Sequence, residues 1–219
     1  MSSRKWIVPL LLSLPLAAIV LFLGACLPVG VGDPETSKVD PGLTGVWEEL
    51  NDDGAPKGSL AVLVPFDVRA YLLRTVEIER TAEGVTVKPK EGHYKAWLTT
   101  IEGRIFLTAQ PLYLKEALGD EKAPGFLVAH VVFDGKSVVA SAIDGEFAPL
   151  AALRKLPGHV SYEPPAAGEK ALSEDDARAL LRRVIAENVD KKELYSGTAK
   201  YARVTDRAVL KAVFESVIG

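Results

Sequence analysis

Short apolar segments separated by tight turns dominate the chain from about residue 43 to residue 144. Glycine stands where a hairpin needs a positive φ in Asn51-Asp52-Asp53-Gly54, Glu83-Gly84, Glu102-Gly103 and Asp134-Gly135. The segments between the turns are rich in Val, Ile, Leu, Thr, Tyr and Trp, as is typical of strands. They predict strands at 43–50, 58–64, 68–80, 84–88, 94–101, 104–110, 126–133 and 137–143. Tight turns join antiparallel neighbours, so we expect a meander of about seven or eight strands in a barrel or strongly curved sheet.

Alternation within these segments predicts one apolar and one wet face. Apolar residues at positions 70, 72, 76 and 78 alternate with Arg69, Glu77 and Glu79. We therefore expect an apolar barrel interior, and the residues predicted to face inward are Leu72, Val76, Leu107 and Val128.

The period of the apolar pattern changes after residue 144. Segment 147–156 is a short helix candidate, and 199–204 is a candidate strand. Ser173 can cap a helix that extends to about Asn188, whose apolar stripe is Ala177, Leu180, Leu181, Val184 and Ile185. A last helix starts near Asp206. The predicted fold class is α+β, a mostly antiparallel barrel or curved sheet followed by two or three C-terminal helices packed on it.

The N-terminus has the anatomy of a secretory signal peptide. Arg4 and Lys5 precede an apolar run over 6–22, followed by Leu23-Gly24-Ala25-Cys26. This tetrapeptide resembles the lipobox of bacterial lipoproteins, whose cysteine receives a diacylglyceryl group and becomes the mature N-terminus. The alternative is a transmembrane anchor, for which the run is long enough. The predicted division is a signal peptide at 1–25, a flexible Pro- and Gly-rich tether at 26–42, and one globular domain at 43–219.

The lipobox resemblance also carries expectations about location. Cys26 is the only cysteine, so an intramolecular disulfide is excluded. Leu27 stands where the family's inner-membrane retention signal has Asp. The resemblance therefore implies a lipoprotein of the cell envelope, held in the membrane by its N-terminal lipid. In a Gram-negative host it implies the outer membrane, facing the periplasm.

A second resemblance lies at the start of the first predicted strand. Gly45-Val46-Trp47 resembles the G-x-W signature of lipocalin-like (calycin) barrels, in which the Trp closes one end of the barrel and an Arg from a late strand covers its ring. Arg203 is the counterpart this resemblance implies. The layout of Cys26, Leu43-x-Gly45-x-Trp47, a strand region and a late helix is also similar to a family of uncharacterised proteobacterial lipoproteins.

The sequence offers no pattern typical of catalysis. His93, His130 and His159 are far apart and lack metal-ligand spacing, so we expect no metal and no cofactor. Nucleophile-elbow, phosphate-loop and dinucleotide motifs do not occur. A net charge of −3 and a pI near 5.7 argue against nucleic acid as a partner. We predict that the protein is not an enzyme.

Two classes of function stay open at this point. The first is a lipid-anchored binding module whose barrel holds a small apolar ligand or a lipid chain. The second is a structural or interaction lipoprotein that contacts another envelope component without a ligand. An accessible space inside the barrel would favour the first.

Overall fold

The computed structural model describes residues 26–112, 125–157, 162–166, 168 and 170–218. The strands are β1 Cys26–Leu27, β2 Gly45–Leu50, β3 Pro56–Pro65, β4 Tyr71–Thr81, β5 Gly84–Ile101, β6 Arg104–Pro111, β7 Phe126–Phe133, β8 Ser137–Ile143 and β9 Tyr195–Arg203. The α-helices are α1 Glu174–Asn188 and α2 Arg207–Ile218, and short 3-10 helices occupy Pro34–Thr36, Ala148–Lys155 and Lys192–Leu194.

Strands β2 to β9 form a closed antiparallel barrel of eight strands. Each strand pairs with the next along the chain, and β9 also pairs with β2 to close the circle. The predicted mostly antiparallel barrel is therefore confirmed. The candidate strand at 199–204 is confirmed as the second half of β9, which comes after α1 and closes the barrel. The two-residue strand β1 is added beside the first residues of β7.

One strand is longer than expected. Segments 84–88 and 94–101 were predicted as separate strands around Pro89, but the structure has a single strand of 18 residues, β5. Its pairing with β4 shifts register between Thr75 and Glu77. A bulge of this kind lets a strand continue through a local irregularity.

Trp47 marks the inner face of the barrel. Trp47 belongs to one hydrophobic cluster whose buried and partly buried residues come from all eight barrel strands. Only the barrel interior can bring residues of all eight strands together, and the pairing register of β2 places Trp47 on this face. Leu107 belongs to this face. The prediction for Leu72, Val76 and Val128 was wrong, because the pairing register places all three on the outer face.

The outer face is also largely apolar. Outward-facing Ile101, Phe106, Val128 and Ile143 share one buried cluster with the apolar stripe of α1. A second outer cluster joins residues of β2, β3 and β4 to Val209 and Val213 of α2. Ser173 caps α1 by accepting a hydrogen bond from the backbone N–H of Asp176, as its sequence position indicated.

Residues 27–43, which we call the strap, are not the flexible tether that the sequence predicted. Leu27, Val29 and Val31 are fully buried in the cluster that also holds the α1 stripe. The carbonyl of Val31 accepts hydrogen bonds from Trp97 Nε1 at 2.9 Å and from the Thr108 hydroxyl at 3.1 Å. The strap is therefore part of the folded domain.

We call the two ends of the barrel the base and the mouth. The base is the end where β2 begins and β9 ends, and the mouth is the end where β6 ends and β7 begins. The strap passes along the outside from mouth to base, since Leu27 pairs with Phe126 while the backbone N–H of Leu98 donates to Ser37 Oγ.

We predict that Leu27→Ala lowers the free energy of unfolding by about 2–5 kcal/mol, because a fully buried leucine is truncated within a packed cluster. Urea denaturation followed by tryptophan fluorescence measures the change. Val68→Ala, at a side chain that is 81% exposed, serves as the control and should leave the transition where it is. If the strap is only loosely attached to the barrel, Leu27→Ala will change the free energy of unfolding no more than Val68→Ala does.

Candidate functional site

Trp47 closes the base of the barrel. Its side chain is 1% exposed, and its indole Nε1 donates a hydrogen bond of 2.8 Å to the carbonyl of Leu43. Leu43, Leu63 and Tyr71 are buried in the same cluster. The Tyr71 hydroxyl also donates to the carbonyl of Asp40 and accepts from its N–H, which ties the strap across the base. This end of the barrel is filled with side chains.

Arg203 covers the ring of Trp47. Its guanidinium carbon lies 4.3 Å from the ring centroid, within the range of a cation–π contact. The same guanidinium donates to three backbone carbonyls, those of Gly135 at 2.6 Å, Thr44 at 2.8 Å and Gly42 at 2.7 Å. One side chain therefore ties together the strap, the loop before β2 and the β7–β8 turn.

Gly45 is required for this arrangement. Its φ of +144° is rarely adopted by residues with a side chain, and a Cβ there would lie 2.5 Å from Arg203 Nη1. The glycine, the tryptophan and the arginine that the sequence singled out thus lie together at one site.

Above the base, the lumen wall is partly exposed. It is made mainly of small and aliphatic side chains, and its partly exposed members are Ala61, Leu73, Tyr94, Leu107, Ala129, Ala140 and Ala199. Alanines line β7, β8 and β9 on the inner face, where Ala140 pairs with both Val131 and Ala199. Their intermediate exposure shows that solvent reaches part of this inner wall, as small side chains allow in an eight-stranded barrel.

A polar group lies on the same inner face, one step nearer the mouth than Trp47 and Arg203. The Glu49 carboxylate is 11% exposed and forms an ion pair of 2.6 Å with Lys57 Nζ. Tyr201 is the cross-strand partner of Glu49. Burial, and then the charge of Glu49, raise the pKa of the Tyr201 hydroxyl, so it stays protonated.

Sequence reasoning missed these polar residues, although a simple signal could have found them. Side chains two positions apart in a strand point to the same face. Counting two residues on from Trp47 reaches Glu49, and counting two residues back from Arg203 reaches Tyr201. The alanine wall has no comparable motif in the sequence.

Comparison with protein-family models, with curated proteins and with solved structures returned no match for this chain.

The two described histidines, His93 and His130, lie outside the lumen. His130 faces outward, where its ring centroid lies 5.4 Å from that of Phe106 and 6.3 Å from that of Tyr195. Burial, and secondarily the charge of Arg104, lower its pKa. His93 pairs with Arg74 on the outer face, and His159 lies outside the described residues. Within the described ranges, no group of three or more His, Cys, Asp or Glu could hold a metal ion.

The predicted lipobox lies at the edge of the described structure. Leu23, Gly24 and Ala25 are outside the described residues, while the backbone of Cys26 pairs with Leu127 at the mouth. A search of the described residues for helices long and apolar enough to span a membrane found none.

We predict that Arg203→Lys lowers the free energy of unfolding by about 2–6 kcal/mol. A lysine ammonium cannot reproduce the planar fork, so at least two of the carbonyls lose their partner, and each lost bond costs about 1–3 kcal/mol. Thermal unfolding by circular dichroism measures the loss. Arg207→Lys, at an exposed site, is the matched control, and equal melting temperatures for both variants would contradict a structural role for Arg203.

Proposed function

We propose that this protein is a non-enzymatic, lipid-anchored binding module of the bacterial cell envelope, whose barrel holds a small apolar ligand or one lipid chain. The observation that carries the proposal is the contrast along the lumen. Side chains fill the base around Trp47, whereas the alanine-rich wall towards the mouth is partly exposed. A barrel that needed only a packed core would have larger side chains there.

The chemistry of the lumen supports an apolar ligand. The partly exposed aliphatic wall is apolar surface that a ligand would remove from water, at about 25 cal/mol for each Å² buried. The Glu49–Lys57 pair and the Tyr201 hydroxyl provide the few polar groups that fix orientation in such sites. An acyl chain with a polar end fits this distribution.

Ligand binding is tested by filling the lumen. Ala199→Phe should abolish binding of parinaric acid, a fluorescent long-chain fatty acid, because the added ring projects into the lumen. Thr198→Phe adds the same ring to the neighbouring exposed position on the outer face and should leave binding unchanged. Binding is followed by the rise in probe fluorescence. Native mass spectrometry of the protein purified from its host checks beforehand that it carries no retained ligand. Equal binding by both variants contradicts a lumen site.

Membrane attachment through Cys26 is supported by the basic, apolar leader and the Leu23-Gly24-Ala25-Cys26 sequence. We expect the Cys26→Ser variant to lose incorporation of radiolabelled palmitate and to remain unprocessed. The fully folded barrel should still form, because Cys26 pairs with Leu127 through its backbone and the buried side chains of the strap begin at Leu27. A variant that is processed and still sediments with membranes would show that the anchor lies elsewhere.

One observation favours contact with another envelope component as a second candidate. Phe66 and Val68, in the turn between β3 and β4, are 55% and 81% exposed. Lys95 Nζ lies over the Phe66 ring at 5.9 Å from its centroid, and the rest of these two side chains presents apolar surface to solvent at the turn tip. This candidate would gain if the protein binds no parinaric acid and Phe66→Ser releases a co-purifying envelope protein.

A further inference from the structure

The chain reaches the barrel at its mouth. Cys26 pairs with Leu127, the second residue of β7, and Leu27 pairs with Phe126, the first. Both pairs lie at the end where β6 has finished and β7 begins. The point from which the leader departs is therefore fixed beside the opening of the lumen.

The strap leaves no flexible spacer between this point and the domain. Val29 and Val31 follow Leu27 directly and are buried, and the backbone N–H and carbonyl of Val31 both bond to the Thr108 hydroxyl. Gly30 lies so close to the barrel that a Cβ would come within 2.7 Å of Thr108 Cγ2. The domain cannot move away from its point of attachment without losing these contacts.

The distance from this point to a membrane is short for either form of attachment. A lipid on Cys26 enters the bilayer at that residue. If the leader is retained instead, only Leu23, Gly24 and Ala25 separate the apolar run from Cys26, and an extended chain covers about 3.3–3.6 Å per residue, so the reach is about 14 Å. By contrast, β3 alone has ten residues between mouth and base, which is roughly 33 Å along the strand.

We propose that the mouth of the barrel faces the lipid bilayer and that its ligand is an amphiphile with a long acyl chain, taken up from the membrane. This inference rests on the membrane attachment in the proposed function. The acyl chain lies along the alanine-lined wall towards the mouth, and the polar end meets the Glu49–Lys57 pair and Tyr201, one step from the filled base. The base, with its exposed Phe66 and Val68, points away from the bilayer.

Energy transfer to labelled lipids measures this orientation. Full-length protein carrying Asp53→Cys in the β2–β3 turn at the mouth, or Val68→Cys in the β3–β4 turn at the base, is labelled with a donor dye. Both positions are exposed. The proteins are reconstituted into phosphatidylcholine vesicles that contain phosphatidylethanolamine with a rhodamine head group. Cys26 is the same in both variants, so its contribution cancels in the comparison.

We expect energy transfer to be about twofold or more higher from position 53 than from position 68, because tilted strands of this length separate the two turns by roughly 20–30 Å. Equal transfer, or higher transfer from position 68, in protein that floats with the vesicles overturns the orientation and leaves the attachment standing. Protein that does not float with the vesicles overturns both.

A linker variant tests the cause of the orientation. About fifteen Gly and Ser residues inserted between Cys26 and Leu27 form a flexible coil with an end-to-end distance of roughly 20 Å. The insertion leaves Leu27 and the strap in place, so folding should be unaffected, while the difference between the two labels should fall. A difference that survives the linker overturns the assignment of the orientation to the attachment point.

Discussion

Pairing between β2 and β9 is the contact on which the rest of the structure depends. It joins residues 47 and 203, which are far apart in the chain, and it removes the two edges that an open sheet would expose. The same register places Arg203 opposite Trp47, so closure of the sheet and plugging of the base are a single event. An interior exists only because this pair of strands meets.

Much of the strand order could be predicted from the sequence, whereas the direction of each face could not. Turn glycines and alternation located β7 and β8 at their observed bounds, because hairpin turns need residues that tolerate positive φ. The alternation of apolar and polar residues distinguishes the two faces of a strand, but it does not show which face points into the barrel. Val76 and Val128 look like interior residues because the outer face is itself covered, by α2 over β4 and by the strap and α1 over β7.

The strap shows why composition misled the sequence analysis. Proline and glycine are typical of linkers, and segment 26–42 is rich in both. In the structure, Gly30 and Gly32 are the positions where the chain lies too close to Thr108 and Thr99 for a side chain. The site was predictable where a local motif existed, at Gly45 and Trp47. The three carbonyls that Arg203 reaches come from distant segments and leave no local pattern.

The chain order of the closing strands has a consequence for the folding rate. The first strand of the barrel, β2, finds its closing partner β9 only after this last strand has been made, and the segment between β8 and β9 carries α1 and two 3-10 helices. Contacts between residues so far apart in sequence cost a large loop-closure entropy before they stabilise the fold, so folding is slow. Until then the edges of β2 and β8 are unpaired, and an unpaired edge is a template for aggregation. A chain with this topology therefore stays incompletely folded until its synthesis is nearly complete.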